Sequence, residues 1–402
     1  MSRVSKSWEL YARACDVIPL GTQTHAKAPR EALRDVEPCF IVRGKGCRVW
    51  DVDGNEYIDF RNGLGPISLG YCFDAVDDAV KAQIDNGYVF GYAHPLEEQV
   101  ARRLVDVIPC AEKVRFLKTG GEAMAAVHRL ARGFTGRDVI ATCGYHGWMN
   151  TVTGKGTPKA IGSVHRQLPW GDVTPYEDLF RDSGNEVAAV SVSCDYRDIE
   201  KGHTFLPALR ALTEKHGVLL IFDEIVTGFR LARAGAQEYF GVIPDLAVFA
   251  KGMSNGVPLS CYCGRADVMD MAKEVVISST FGGDTLGLAA CNAVLDVYEN
   301  EPVIHTLWAR GHQLHTGFNA ACAELDMPAW FWGLPPLGML SFSHEDASRN
   351  ADLFVQFNGE VLKRGVIIYS VCYPNYSHSE SDIDDALDAM KDALIQVKES
   401  GL

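Results

Sequence analysis

The feature that most constrains the fold is a series of five short runs, apolar almost from end to end, at residues 139–143, 187–192, 218–222, 246–249 and 260–263. A strand with one wet face alternates apolar and polar side chains, so runs without that alternation predict strands covered on both faces. Helical patterns over about 122–135, 205–216 and 284–299 fall between or beside them. Strands separated by helices predict a largely parallel sheet with helices on both faces, the α/β class. Upstream, residues 47–60 read as a hairpin turning at Asp53 and Gly54. From about residue 300 the pattern shifts to longer amphipathic helices, such as the closing 381–400 stretch. The expected organisation is a large ligand-binding domain at 61–295. Segments 1–60 and 296–402 are expected to combine into a smaller α+β domain.

Charge and cysteine usage narrow the partners. The 402 residues hold 38 Lys plus Arg against 52 Asp plus Glu, a net charge of −14. Nucleic acid and anionic membranes reward clustered basic residues, so neither is an expected partner. Apolar stretches such as 218–222 and 246–250 are far too short to span a bilayer. The first ten residues carry no apolar core of a secretory signal. Twelve cysteines are scattered with no C-x-x-C pair, which suits reduced thiols in a cytoplasmic chain better than a disulfide framework or a zinc site. His312 and His315 stand three apart without a further ligand nearby, and are expected on a solvated helix face. No metal is expected.

In sheets of this class, ligands bind in the loops at the carboxyl ends of the strands. Four such loops carry chemistry. The run at 218–222 ends in Asp223 and Glu224, carboxylates that need a cation or hydrogen bonds to offset burial, although helix capping or a surface turn would explain them equally well. Lys251 follows the 246–249 run and opens a glycine-rich turn. Partial desolvation there would lower its pKa and free the amine as a nucleophile, whereas the ordinary alternative is a snorkelling surface lysine. Gly120 and Gly121 lead from a short strand into an Ala-rich helix, whose first backbone N–H groups can hold an anion. Tyr145, between Gly144 and His146, could stack on a planar ligand or simply pack at an interface. Neither a Walker A motif nor G-x-G-x-x-G is present. A rival reading takes Gly252-Met-Ser-Asn-Gly256 as a hydrolase nucleophile elbow with Ser254 as nucleophile. An elbow must lead straight into a helix, and Val257-Pro258 disfavours one.

A flat ligand with an anionic end, an aldehyde for an amine and a ring nitrogen seeking a carboxylate would use all four loops, and pyridoxal 5′-phosphate (PLP) is such a molecule. The D-E-x-x-T-G-F-R run at 223–230, followed by Pro244-Asp-Leu and then Lys251, resembles the class III (subgroup II) PLP-dependent aminotransferases. The glutamate-1-semialdehyde aminomutase-like branch is the most similar. The resemblance extends from Gly44 to Asp384 and implies the PLP-dependent transferase fold, type I. It implies that Lys251 holds the cofactor as an internal aldimine and later shuttles the Cα proton. Asp223 would pair with the pyridine nitrogen, Ile225 and Tyr145 would sandwich the ring, and Gly120 and Gly121 would bind the phosphate through backbone N–H groups. Thr280 would reach the phosphate of a neighbouring subunit, making the enzyme a homodimer with shared active sites. Its substrates would be a small-molecule amine and a carbonyl compound.

Three departures from the family pattern qualify the chemistry. Ser193-Cys194 stand where relatives usually have Glu-Pro. Gly121 occupies a position often held by Ser or Thr. Lys27 falls where the semialdehyde aminomutases place a carboxylate-binding arginine, and Lys cannot fork onto a carboxylate as Arg does. Arg61, just after the hairpin, could supply that contact instead, and either residue could equally be a surface cation. Glutamate-1-semialdehyde is therefore not the expected substrate. The expected reaction is amino-group transfer between an amine and a keto or aldehyde metabolite. The alternatives are an aminomutase, racemase, decarboxylase or cyclising lyase on the same scaffold and, more remotely, a hydrolase using Ser254.

Overall fold

A computed structural model describes residues 2–150 and 154–400 and divides them into two units. Residues 65–68 and 74–304 form one unit, and residues 1–64, 69–73 and 305–402 form the other.

The 65–304 unit is built on a seven-stranded sheet. In spatial order its strands are Lys113–Leu117, Ser260–Gly264, Leu246–Phe249, Leu219–Asp223, Val187–Val192, Val139–Cys143 and His165–Gln167. Ser260–Gly264 runs antiparallel to both of its neighbours, and all other neighbours are parallel. The five apolar runs are all strands of this sheet, within one residue of the expected limits. Every residue of Val139–Cys143, Val187–Val192 and Leu219–Asp223 is buried, as expected for strands covered on both faces. The Ala-rich helix Gly120–Thr135 lays Ala123, Val127, Leu130 and Ala131 into the core against Ile140, Ala189, Ile221 and Val248. It starts at a capping box, in which Thr119 Oγ1 accepts from the Glu122 N–H and Glu122 Oε2 accepts from the Thr119 N–H. It stops at Gly136, whose φ of 65° a side chain would strain.

In the other unit, Arg48–Asp51 and Glu56–Asp59 form the expected hairpin, extended by Ile41–Lys45 on one edge and by Val366–Ile367, running parallel, on the other. Buried Asp51 accepts from the Asp53 and Asn55 N–H groups and from the Tyr57 hydroxyl, fixing the turn in which Gly54 takes φ +92°. Helices Val303–Leu325, Asn350–Lys363 and Glu380–Glu399 enclose a core of Phe318, Phe331, Phe342 and Phe357, against a three-stranded antiparallel sheet. One expectation fails here. His315 is buried and stacks on Phe331 with ring centroids 4.6 Å apart, and burial holds its pKa down to about 4. Its spacing from His312 reflects one helix turn crossing from surface to core.

No helix among the described residues is long and apolar enough to cross a membrane.

Candidate active site

The loops that carry the candidate chemistry in the 65–304 unit leave the carboxyl ends of four strands that run in the same direction. Asp223 ends one strand and is paired in register with Val248 of the next, three residues before Lys251. Gly144-Tyr145-His146 follows the strand that ends at Cys143. Gly120 and Gly121 begin the helix that follows Lys113–Leu117. The topology therefore brings residues far apart in sequence to one edge of the sheet.

Asp223 is buried and held at both oxygens. Oδ2 accepts from His146 Nδ1 at 2.8 Å, and Oδ1 accepts from the Ile225 N–H at 3.1 Å. Because a carboxylate only accepts, His146 carries its proton on Nδ1. Glu224 is also buried but does a different job. It accepts from the Thr227 hydroxyl and from the N–H groups of Ala236 at 2.7 Å and Gln237 at 2.9 Å, fixing the turn that leads to the next helix. Desolvation nevertheless raises its pKa to about 7. The adjacent carboxylates thus divide into one site residue and one structural residue.

Lys251 occupies a short 3-10 turn with φ +50°, a left-handed conformation rarely tolerated outside glycine. Burial lowers its pKa to about 8, Asp223 pulls it up, and the Arg230 cation pushes it down. Arg230 is fully buried, with Nη2 donating to the Gly65 carbonyl at 3.0 Å. A lysine in this setting is about one-tenth uncharged amine at pH 7 and about half uncharged at pH 8, far more than an exposed lysine.

The glycines pack as a cradle. A Cβ at Gly120 would collide with Ile225 Cδ1, so Ile225 and the helix start lie in direct contact. A Cβ at Gly147 would sit 2.8 Å from Gly121 Cα, and one at Gly144 would sit 2.9 Å from Ser193 Cβ. Gly144 and Gly147 both take positive φ. Gly121, in contrast, has room: its nearest neighbour would be Met149 Cε at 3.4 Å. Tyr145 is 70% exposed, and Thr280 is exposed in a turn near Phe281.

The remaining expected residues lie elsewhere. Lys27 and Arg61 belong to the other unit, where both line a cavity of about 400 Å³ together with Tyr11, Tyr71 and Glu37. Arg61 stacks on Tyr369 at 4.7 Å, and its buried Nε has no partner among the described residues. Ser254 is buried and donates to the Val257 carbonyl at 2.6 Å, which leaves it no role as an exposed nucleophile. Among the described residues, no group of three or more His, Cys, Asp or Glu could hold a metal ion. Two site residues escaped sequence reasoning. His146 was visible only as a neighbour of Tyr145, and Arg230 only as the last residue of the Asp223 motif; burial and proximity give both their roles.

These residues fit PLP. A desolvated amine can take the aldehyde, a carboxylate pinned at both oxygens can face a ring nitrogen, and the helix start leaves the Gly120 and Gly121 amides outside its own hydrogen-bond ladder for a phosphate. Comparison with known proteins agrees. The family model for aminotransferase class III matches residues 31–394. Glutamate-1-semialdehyde 2,1-aminomutase of Syntrophobacter fumaroxidans is 33% identical, covering 97% of each chain. A 3-aminobutyryl-CoA aminotransferase of Cloacimonas acidaminovorans is 31% identical over 98% of each. The FumI protein of Sphingopyxis sp. MTA144, solved in its PLP internal aldimine form, superposes with a TM-score of 0.91 at 26% identity, covering 98% of this chain and 97% of its own. With both sequence and fold matched over nearly the full length, this chain belongs to the class III aminotransferases and is a PLP-dependent enzyme.

Proposed function

We propose that the enzyme moves an amino group between an amine donor and a keto or aldehyde acceptor, with Lys251 and Asp223 as its catalytic residues. The observation that carries this is a single edge of the sheet holding both a desolvated amine and a carboxylate fixed at two oxygens. PLP, when bound, supplies an aldehyde that exchanges between amines and a ring that accepts electrons. Lys251 Nζ anchors it and, once displaced by substrate, takes and returns the proton at the substrate Cα. Asp223 keeps a proton on the ring nitrogen. Gly120 and Gly121 donate N–H groups to the phosphate, while Ile225 and Tyr145 bound the ring.

Lys27 and Arg61 are proposed to receive an anionic group of a substrate, their shared cavity supporting that reading. A homodimer with shared active sites is proposed as well. Tyr88, Val89, Phe90, Tyr92 and Phe281 are exposed apolar side chains, and the Thr285 N–H ties the 281–285 turn to the Tyr88 carbonyl at 3.0 Å. Thr280 of one protomer would then bind the phosphate held by the other. Light scattering gives the oligomeric state, and a monomer that remains fully active would remove the shared-site reading. Twelve free thiols favour a cytoplasmic location, which fractionation of the source cells would check.

The deciding experiment supplies purified enzyme with one amine at a time and no acceptor. A transaminase converts its cofactor stoichiometrically to pyridoxamine phosphate and releases a carbonyl product. A second reading, isomerase or lyase chemistry, is favoured by Ser193-Cys194, where relatives usually have Glu-Pro, because Ser193 packs directly against Gly144 beside Tyr145. Turnover of a lone substrate without any pyridoxamine phosphate would select that reading instead.

A further inference from the structure

A row of histidines, His146 and His128 buried and His165 half-buried, leads from Asp223 past the helix Gly120–Thr135 to the edge strand His165–Gln167. His146 donates through Nδ1 to Asp223, and its Nε2 is buried without a partner among the described residues. The His128 ring meets the His146 ring edge to face, with centroids 6.4 Å apart and planes at 80°. His128 is itself 2% exposed, and its Nε2 lies 2.8 Å from Ser191 Oγ on the neighbouring strand. On its other side stands the His165 ring at 6.2 Å, and Arg132 Nη2 donates to His165 Nε2 at 3.3 Å. Asn150, which hydrogen-bonds the His128 side chain, also donates to the His146 carbonyl at 2.8 Å and the Gly121 carbonyl at 3.1 Å.

We propose that His128 is a positioning residue for the cofactor-binding carboxylate: lodged between Ser191, Asn150 and His146, it fixes the imidazole that fixes Asp223. An apolar side chain could fill the volume but would leave buried Ser191 Oγ, and half-buried Asn150, without this partner. Burial is the main reason that His128 does not carry a charge, and the groups facing it, His146, His165 and Arg132, add to that effect. His165 is held neutral in the same way, its pKa lowered to about 4 by burial and by Arg132. His128 therefore stays an uncharged hydrogen-bonding ring over the working pH range. The same Asn150 contacts join this ring to the Gly121 turn, so one residue braces both the ring end and the phosphate end of the site.

The inference rests on Asp223 as the partner of the cofactor ring nitrogen, and the test separates the two. The pH midpoint of the cofactor's visible absorption band is titrated in holoenzyme of the wild type, D223N, H128L and H128Q, alongside kcat and KM. A slackened Asp223 leaves the ring nitrogen less firmly protonated and the ring less electron-poor. The Lys251-linked nitrogen then keeps its proton to higher pH. H128L is expected to raise the midpoint by about 0.5–1 unit. Its kcat should fall about tenfold, with the donor KM within about twofold of wild type. H128Q keeps a hydrogen-bonding group and should recover at least half of both changes. If D223N shifts the midpoint and H128L folds but does not, the His128 proposal is overturned while the role of Asp223 survives. If D223N leaves the midpoint unmoved, both fall. Should H128L not fold, H128Q decides: it must raise the midpoint measurably and by less than D223N does, and a wild-type midpoint overturns the proposal. Lowered thermal stability with an unchanged midpoint and kcat would mean a purely structural histidine, and would overturn it equally.

Discussion

In the 65–304 unit, Asp223, Glu224 and Arg230 are buried with specific partners, and Lys251 is desolvated between Asp223 and Arg230. In the other unit, Lys27 and Arg61 line a cavity, Lys27 exposed and Arg61 half-buried, with the Arg61 guanidinium resting on Tyr369. The first arrangement sets protonation states and fixes atoms, which is what acid–base and covalent chemistry require. The second offers cationic groups on long, adaptable side chains.

The largest effect should come from the amine. K251A is expected to lose about 10⁴-fold or more in turnover while folding normally, as a steady-state assay and circular dichroism would show. The same residue gives a pH prediction. The ammonium form cannot attack an aldehyde, and burial lowers the folded pKa from 10.5 to about 8. Capture of added PLP by apoenzyme, followed by absorbance, should therefore slow about tenfold per unit below pH 8 and level off above it. A rate still climbing at pH 10 would show that the amine is not desolvated.

The next contrast is between neighbours. E224A leaves the Ala236 and Gln237 N–H groups and the Thr227 hydroxyl unsatisfied in the core, and should lower stability by about 3–5 kcal/mol in denaturant titration. D223N keeps one of the two accepting oxygens and should move that titration much less than E224A, yet reduce kcat about 10²–10³-fold through weaker charge stabilisation. If the two variants exchanged these phenotypes, the division between structural and site carboxylates would be wrong.

In the other unit, R61A and K27A should act on recognition. Each is expected to raise KM for an anionic substrate about 10–100-fold, the loss of a charge-assisted contact, with kcat changed much less. An equal fall in kcat at constant KM would place them in the chemistry and erase the contrast between the units. The smallest effect should be that of G121S. With 3.4 Å to its nearest neighbour, the new side chain fits, and PLP affinity, measured by equilibrium dialysis, should tighten no more than about tenfold. A large loss of affinity would mean that the cradle is tighter than its contacts indicate.

The sheet strands, the helix from Gly120, the hairpin at Asp53-Gly54 and the placement of Asp223 and Lys251 at the ends of buried strands were all legible in the chain. They depend on local pattern: continuous apolar runs, turn glycines, and motif residues at strand ends. Four things were not. The antiparallel direction of Ser260–Gly264 depends on its partners, Lys113–Leu117 and Leu246–Phe249, and no pattern within the strand encodes it. The separate duties of Asp223 and Glu224 depend on where each carboxylate points, toward His146 or into the Thr227–Gln237 turn. The inward turn of His315 depends on Phe331, a neighbour in space. The His128–His146 contact joins a helix to a loop that folding alone brings together. The sequence by itself determined the elements and the chemical groups, because periodicity and side-chain chemistry are properties of the chain. Only the tertiary structure decided which groups lose water and which partner each one meets, because desolvation and distance exist only once the elements pack.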